Sequence, residues 1–347
     1  PPRSTLFPYT TLFRSLKYME KKTFSSDFVK NSNVKFTLIL LMLIILTALI
    51  NTGCTAKSEQ RNPAIFENIV VWQDNRNGQW DIYGYDLDIK KEFRITNGKG
   101  DSITPAIQGD IVVWANTINN LSEIYGYNLK TKETFQVSDD KHEKDSPAVY
   151  GNIVVWRELK DDAKNIRAIN IFTKESFKIN EGQTRCFSPS MYGNYIIWAN
   201  LIGSGGHSEV YAYDLRNGKN LLLYDKGYNS DTCIFENIAA WSGGNIYIRL
   251  YDIGTSNKGG AFFEIDSRGA VISLKTYKKT IVWSGGGYIK IYNMGSTIEL
   301  LKIKEEDIPG NISIHENIVV WEDAKDIDWD IYGYNLDTKE EFPICTK

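Results

Sequence analysis

A single repeated unit organises most of this sequence. Seven of its nine Trp residues follow one another at intervals of 42, 42, 42, 43, 42 and 38 residues. They occupy positions 72, 114, 156, 198, 241, 283 and 321. In the first three units each Trp ends an Ile-Val-Val-Trp run that follows a Pro-Ala-Ile or Pro-Ala-Val segment. This regularity indicates a repeat architecture in which each unit packs against its neighbours.

Each unit is predicted to form four short strands. In the first unit these are Pro63–Ile65, the run ending at Trp72, Asp81–Tyr85 and Glu92–Thr96, separated by turn residues. Val, Ile and aromatic residues dominate these segments and favour strands, and the units lack the 3.6-residue apolar period of helices. Four-stranded units at this spacing are typical of propeller blades. The sequence therefore predicts an all-β, seven-bladed β-propeller of four-stranded antiparallel blades.

The predicted propeller occupies residues 62–347. We expect its blades at residues 62–104, 105–146, 147–188, 189–232, 233–270, 271–311 and 312–347. All four strands of the last blade belong to one C-terminal unit, so no blade should combine strands from both ends of the chain. Closure of the ring would then depend on packing between the first and seventh blades, which are the most alike in sequence.

The residues before the first blade predict an export signal. Residues 1–18 lack any pattern continuous with the rest and are interpreted as a non-native leader, which makes Met19 the start. Lys35 precedes fifteen mostly aliphatic residues, Phe36–Ile50. That length suits a signal-peptide core and is short for a bilayer span.

The residues after this apolar run favour a lipoprotein. Asn51-Thr52-Gly53-Cys54 is similar to a lipoprotein signal, in which Cys54 would become the lipidated first residue. Residues 19–54 are therefore interpreted as a signal peptide and residues 55–61 as a tether. An uncleaved signal anchor is the alternative. Either reading places the protein on the outer face of the cell membrane, whereas cleavage without lipidation would release it as a secreted protein.

Charge and motif content exclude several functions. The chain carries a formal charge of −3, and residues 1–53 hold seven Lys or Arg against two acidic residues. The remainder holds 33 basic and 41 acidic residues, a net charge of −8, which disfavours nucleic-acid binding. The sequence has no Gly-x-Ser-x-Gly elbow, Walker loop or dinucleotide fingerprint. We therefore predict no catalytic residue, no cofactor and no enzyme activity.

The segment Val71–Leu87, which reads VWQDNRNGQWDIYGYDL, resembles the TolB-like propeller repeats of exported surface proteins. Such proteins are common in methanogenic archaea and some bacteria. The resemblance extends over all seven units and implies the propeller fold and a surface location. TolB itself has six blades, a Ser-Pro-Asp-Gly turn and an extra N-terminal domain, so its transport role does not carry over directly. WD-type repeats share the architecture, but this chain lacks their His and Trp-Asp signature.

Loops on one face of the predicted propeller supply candidate binding residues. Connections between blades and loops between second and third strands open on the same face, around the central channel. The candidate binding rim consists of Asp74, Arg76, Asn77, Arg157, Glu158, Asp161, Asp162, His207, Glu322 and Asp323. Blades five and six have short Ser-Gly-Gly turns after Trp241 and Trp283. The resulting uneven rim suits a binding cleft, although repeat drift produces the same pattern.

Two further groups of residues could bind a metal or form a disulfide. Asp323, Asp326, Asp328 and Asp330 have the oxygen ligands that a Ca²⁺ site needs. Their alternation with apolar residues and the lack of a turn Gly favour a solvated hairpin instead. Cys186 precedes the fourth blade and Cys233 opens the fifth, so the two could approach and form a disulfide in an oxidising compartment; the sequence leaves their distance open.

The leading hypothesis is a membrane-tethered propeller that binds an extracytoplasmic protein or polysaccharide. The alternative is an exported carbohydrate-active enzyme, a lyase or hydrolase, with rim carboxylates as acid and base. A structural envelope component or a TolB-like transport accessory is a second alternative. Two carboxylates at glycosidase separation across the channel mouth, one of them with a raised pKa, would favour the enzyme.

Overall fold

The computed structural model describes residues 58–180, 185–203, 206–244, 246–254, 262–302, 308–325 and 328–345. They form 28 strands in seven antiparallel sheets, each built from four consecutive strands. The prediction of an all-β, seven-bladed propeller is therefore confirmed. The predicted leader, signal peptide and Cys54 lie outside the described residues. Within the described ranges, no helix is both long enough and apolar enough to span a bilayer.

The strands have the following bounds. Blades one and two contain β1 (Gln60–Phe66), β2 (Ile69–Asp74), β3 (Asp81–Asp86), β4 (Lys91–Arg94), β5 (Asp101–Gln108), β6 (Ile111–Ile118), β7 (Leu121–Asn128) and β8 (Thr134–Gln136). Blades three and four contain β9 (Glu143–Tyr150), β10 (Ile153–Lys160), β11 (Ala163–Asn170), β12 (Ser176–Lys178), β13 (Ser190–Tyr192), β14 (Tyr195–Ile202), β15 (His207–Asp214) and β16 (Lys219–Tyr224). Blades five and six contain β17 (Asn229–Phe235), β18 (Ile238–Gly243), β19 (Tyr247–Asp252), β20 (Phe262–Asp266), β21 (Ser273–Tyr277), β22 (Thr280–Gly285), β23 (Tyr288–Asn293) and β24 (Glu299–Lys302). Blade seven contains β25 (Ile308–His315), β26 (Ile318–Lys325), β27 (Asp328–Asn335) and β28 (Glu340–Cys345).

The repeated Trp residues form the packing between blades. All seven are buried, with at most 5% of any one exposed. Trp241 of blade five packs with Ile197 and Val210 of blade four. Trp72 of blade one packs in the same way with Val320 of blade seven. A large planar side chain at this position fills the space between two facing sheets, which confirms the packing role inferred from the repeat.

A Gly on the third strand allows the outermost strand to pack closely. Gly84 on β3 pairs with Phe93 on β4, and a Cβ at position 84 would lie 2.5 Å from the ring carbon Cζ. The same Gly–Phe pair recurs in blade two as Gly126 and Phe135. The aromatic ring therefore covers the Gly in these blades, and a larger residue at the Gly position would leave no room for it.

The innermost strands carry a bulge that the sequence analysis missed. The pairing of β1 with β2 shifts between Arg61 and Ala64, and Asn62 within this bulge has a φ of +53°. Thr104 and Ser146 occupy the same place in the next two blades, with φ values of +53° and +50°. Each of these residues precedes a Pro. The bulges place small polar residues along the central channel, whose cavity has a volume of about 260 Å³.

The ring closes without a blade made from both ends of the described chain, because β1–β4 and β25–β28 form separate sheets. Hydrogen bonds join these two blades in addition to packing. The backbone N–H of Asn62 donates to Glu322 Oε2 at 2.5 Å. The N–H of Glu67 donates to His315 Nδ1 at 3.0 Å. The expectation that packing alone closes the ring was therefore incomplete, since β1 also makes polar contacts along its length.

The hydrogen bond to His315 predicts a pH-dependent contribution to stability. His315 Nδ1 accepts a hydrogen bond from the backbone N–H of Glu67, so Nδ1 itself must carry no proton. Burial lowers the pKa of His315, and the nearby Lys278 acts in the same direction, whereas Glu316 and Glu67 oppose it. Because the pKa is lowered in the folded state, this contribution to stability is fully present above the pKa of the unfolded state, about 6.5. It is lost as the pH falls through the pKa of the folded state.

Between about pH 8 and about pH 5, we expect the free energy of unfolding to fall by about 1 kcal/mol more in the wild-type protein than in a His315→Phe variant. Phe is a matched replacement because Phe66 and Phe235 occupy the equivalent position in blades one and five. Urea unfolding of both proteins at both pH values measures the difference, and every other titrating group cancels in it. Equal pH dependence of the two proteins would contradict the prediction.

The three cysteines of the propeller are thiols. Cys186, Cys233 and Cys345 are all buried, and none of them forms a disulfide. Cys186 accepts a hydrogen bond from Asn180 Nδ2 at 3.0 Å, and burial raises the pKa of Cys233. The disulfide left open by the sequence between Cys186 and Cys233 is therefore absent from the described structure.

Candidate functional site

A cavity of about 490 Å³ opens where blades one, two and seven meet at one mouth of the channel. We call it the mouth site. It is lined by Glu59, Arg61, Asn62, Gln73, Trp80, Asp101, Ile103, Thr117, Asn311 and Glu322. The lining combines one indole, three carboxylates, one guanidinium and three amides. These groups come from β1, β2, β5, β25 and β26 and from the residues that precede β1 and β3.

Glu322 is the most buried carboxylate of the mouth site, with 3% of the residue exposed. It accepts hydrogen bonds from the Asn62 N–H at 2.5 Å and from Asn311 Nδ2 at 3.0 Å. Burial raises the pKa of Glu322, while the groups of Asn62, Asn311 and Arg61 oppose this effect. The result is a carboxyl group that takes up a proton more readily than an exposed Glu does.

Arg61 lies between two carboxylates. Its Nη1 is 3.6 Å from Glu322 Oε1, and its Nε is 3.5 Å from Glu59 Oε2. The guanidinium carbon lies 3.5 Å from the centre of the Trp329 ring, which holds the cation over the indole face. The three groups together fix the position of Arg61 at the cavity wall.

A chain of amides connects the buried carboxylate to the next blade. Asn311 Nδ2 donates to Asn62 Oδ1 at 2.7 Å, and Asn62 Nδ2 donates to Gln73 Oε1 at 2.8 Å. Gln73 Oε1 also accepts the N–H of Thr104 at 2.8 Å. Each amide is thereby oriented by its neighbours, so the polar lining is preorganised before any ligand arrives.

Asp74, Arg76 and Asn77, predicted as rim residues, form a network within blade one. Asp74 is fully buried and accepts hydrogen bonds from the N–H and Nε of Arg76, both at 2.8 Å. Although burial alone would lower it, hydrogen bonds to Asp74 and Glu92 hold the pKa of Arg76 above its ordinary value. Asn77 is exposed and donates to Tyr83 Oη at 2.7 Å. Their contacts point to a role in holding the loop between β2 and β3.

The predicted rim residues of blade three also have partners nearby. Arg157 makes two contacts of 2.6 Å with the carboxylate of Asp145. Glu158 is buried and lies 3.0 Å from Arg167. Asp161 and Asp162 are exposed at the tip of the hairpin between β10 and β11, where their φ values of +50° and +64° form the turn.

The other rim candidates lie in three different settings. His207 begins β15 and pairs with Ile202 on β14. Asp323 is buried on β26, and its Oδ2 accepts a hydrogen bond from Trp321 Nε1 at 3.2 Å. Glu322 is the one of the ten candidates that lines the mouth site. Among the described residues, the predicted rim therefore divides into separate groups.

Three of the four acidic residues considered for Ca²⁺ lie on the hairpin of β26 and β27. Asp323 and Asp330 pair across β26 and β27, and Asp328 begins β27. Asp326 lies outside the described residues. Ca²⁺ binding by these residues stays the less favoured alternative that the sequence left open.

A second cluster of ligand atoms lies in blades two and three. Asp140, His142 and Glu158 have ligand atoms within 4.8 Å of one another, the one such group that the described ranges contain. Buried Lys144 places its Nζ 2.6 Å from Asp140 Oδ1, and Arg167 contacts Glu158. The chain therefore supplies its own cations to this cluster.

The channel between the two mouths is lined mainly by Ser, Thr, Pro, Ala and Asn. Asp231 and Lys275 are the charged residues among its described lining. Burial raises the pKa of Asp231 against the opposing charge of Lys275. Neither residue belongs to the predicted binding rim. An Asn, Thr or Ser before Pro at positions 62, 104, 146 and 188 marks the channel-facing segment of each early blade in the sequence.

The chain is similar in structure to several propeller enzymes. An acylaminoacyl peptidase from Pyrococcus horikoshii matches with a TM-score of 0.64 and 12% identity, over 85% of this chain and 53% of the peptidase. The propeller domain of the Trilobed protease from Pyrococcus furiosus, described as having an open velcro topology, matches with a TM-score of 0.59 and 12% identity, over 84% of this chain and 97% of that domain. An oligogalacturonate lyase from Vibrio parahaemolyticus matches with a TM-score of 0.62 and 10% identity, over 83% of this chain and 93% of the lyase.

These matches establish the fold. The chain spans about half the length of the acylaminoacyl peptidase, which is thus the longer protein. No protein-family model and no curated protein sequence matches the chain. The TolB-like type is therefore not confirmed, and function has to be argued from the residues of this chain.

Proposed function

We propose that this protein is an exported, membrane-tethered propeller that binds a glycan at the mouth site. The observation that carries the proposal is the composition of that cavity, in which Trp80 lies among carboxylates and oriented amides. A sugar ring presents an apolar face bordered by hydroxyl groups. Aromatic side chains pack against the apolar face, while carboxylates and amides accept and donate hydrogen bonds at its edge.

The charges of the mouth site favour a particular class of glycan. Glu59, Asp101 and Glu322 face a single cation, Arg61. An acidic polysaccharide would meet an excess of negative charge, whereas a neutral sugar or an amino sugar would not. The proposed ligand is therefore a neutral or amino-bearing oligosaccharide rather than a polyuronate such as an oligogalacturonate.

Trp80→Ala should weaken oligosaccharide binding at least about tenfold, because it removes the aromatic face from the cavity. The measurement is isothermal titration of the full chain with chitohexaose, cellohexaose and an oligogalacturonate. Phe172→Ala is a matched control, since Phe172 is 72% exposed in the turn after β11. Equal affinity of the Trp80 variant and wild type, or preference for the oligogalacturonate, would contradict the proposal.

An enzyme acting on glycans is a second candidate, favoured by the buried Glu322. A raised pKa is the direction of shift that a general acid requires, and Glu59 lies on the other side of Arg61 as a second carboxylate. Lyases and peptidases are among the structural neighbours. Shortened oligosaccharides appearing in the same binding mixtures would favour this candidate, and intact oligosaccharides after prolonged incubation would argue for binding alone.

A further inference from the structure

The opposite mouth of the channel is surrounded by aromatic side chains. Each innermost strand begins on the face of the propeller that holds the mouth site and ends at a tight turn on the other face. Each blade therefore contributes the last residue of its innermost strand to this face. We call these seven residues the aromatic collar: Phe66, Gln108, Tyr150, Tyr192, Phe235, Tyr277 and His315.

Neighbouring rings of the collar contact one another around the axis. The ring centroids of Phe66 and His315 are 4.5 Å apart, and those of His315 and Tyr277 are 4.6 Å apart. The series continues from Tyr277 to Phe235 at 4.6 Å and from Phe235 to Tyr192 at 4.4 Å. Tyr150 ends it, 4.6 Å from Tyr192. Six of seven blades thus contribute a ring, and Gln108 completes the circle.

The collar encloses a cavity of about 430 Å³. Most of its rings are half-buried, so they pack against each other and still present surface to the cavity. Glu67 and Glu316 are the two acidic residues in the described lining, which includes no Lys or Arg. The cavity therefore combines aromatic surface with negative charge.

Two titratable rings of the collar, His315 and Tyr192, carry no charge at neutral pH. His315 Nδ1 accepts the Glu67 N–H, and burial lowers the pKa of the imidazole. Burial and a hydrogen bond with Tyr150 raise the pKa of Tyr192 to about 12, so its phenol stays protonated. Neither ring adds a charge that would offset or strengthen the two carboxylates at neutral pH.

A cation of the chain already uses one face of the collar. The Nζ of Lys278 lies 5.1 Å from the ring centroid of Tyr277. Lys278 is exposed in the turn between β21 and β22, so its side chain can leave this position at little cost. The contact shows the type of group that these rings attract, since a cation is stabilised over the negative face of an aromatic ring.

We propose that the aromatic collar is a binding site for a quaternary ammonium group. Such a group carries a charge that is spread over its alkyl substituents and has no N–H to donate. Its binding is therefore most favourable where several aromatic faces and nearby carboxylates surround it. Because it has no N–H, it binds without needing hydrogen-bond acceptors. The site lies at the other mouth of the channel from the mouth site, so it stands independently of the proposed glycan binding.

The test compares choline with 3,3-dimethyl-1-butanol, its uncharged isostere of the same shape. The full chain is purified in a detergent without a quaternary ammonium headgroup and titrated with each compound by isothermal calorimetry at neutral pH. We expect choline to bind at least tenfold more tightly than the isostere. Equal affinity for the two compounds, or no binding of choline, would overturn the proposal.

Variants of the collar locate the site. Tyr277→Leu should weaken choline binding about tenfold, and Tyr277→Phe, which keeps the ring, should leave it within twofold. Glu316→Gln should weaken choline binding severalfold without changing the binding of the isostere. Since Glu316 lies in an exposed turn, this substitution leaves the packing of the collar rings intact. Phe172→Ala serves as the remote control. Choline binding that none of the collar variants changes would place the cation elsewhere and overturn the proposal.

Discussion

Replacing Trp72 with Ala is expected to lower the free energy of unfolding by about 3–5 kcal/mol, the usual cost of deleting a fully buried Trp. Trp72 is 0% exposed and packs against Val320 and Ile331 of blade seven. Its indole Nε1 also donates to Asp74 Oδ2 at 3.4 Å. The substitution leaves a cavity between the two blades that close the ring. Chemical denaturation measures the loss.

Trp241→Ala is the matched control for this experiment. Trp241 is also 0% exposed and fills the equivalent space between blades four and five. Those blades follow each other along the chain, whereas blades one and seven are held together without a chain connection between them. Both variants should lose similar stability, but Trp72→Ala alone should speed amide hydrogen exchange in β1 and β28. Equal exchange of these strands in both variants would show that the closure is no weaker than any other blade contact.

The fold was predictable because the residue that packs each pair of blades together, a Trp, recurs once per unit of the sequence. A large apolar plate is needed once per blade, so the interval between Trp residues counts the blades and locates the second strand of each. The close packing at Gly84 has a similar cause, since the need for space lies within one unit. Its covering residue, Phe93, comes from the adjacent strand of the same blade. Features that depend on one blade alone are thus readable from a single repeat.

The candidate site was less predictable because its contacts join residues far apart in the sequence. Glu322 and Asp74 were selected as exposed rim residues on account of their charge, and both are buried. The shortest hydrogen bond to Glu322 comes from Asn62, 260 positions away. A charged residue in a loop looks the same in sequence whether water or another blade surrounds it. The collar did have a signal, since an aromatic residue precedes the first turn at Phe66, Tyr150 and Tyr192.

Arg76→Met is expected to cost about 3 kcal/mol of stability, because it leaves the buried carboxylate of Asp74 without its cation. Asp74 is 0% exposed, and Arg76 donates to it through the N–H, Nε and Nη2. The guanidinium also contacts Glu92 on β4, and Nη2 lies 3.1 Å from Cys345 Sγ on β28. We expect the lower end of the usual range for a broken buried pair, because the Arg76 side chain is 23% exposed.

Three companion variants identify the cause of that loss. Asp74→Asn combined with Arg76→Met removes both charges and should recover part of the stability, since the penalty arises from an unpaired buried charge. Arg76→Lys keeps the charge but not the planar fork, so it should fall between wild type and Arg76→Met. Arg216→Met breaks an exposed pair with Asp214 and should leave the unfolding midpoint unchanged. A double variant less stable than Arg76→Met would mean that the contacts with Glu92 and Cys345, and hence the link between blades one and seven, account for the stability that Arg76 provides.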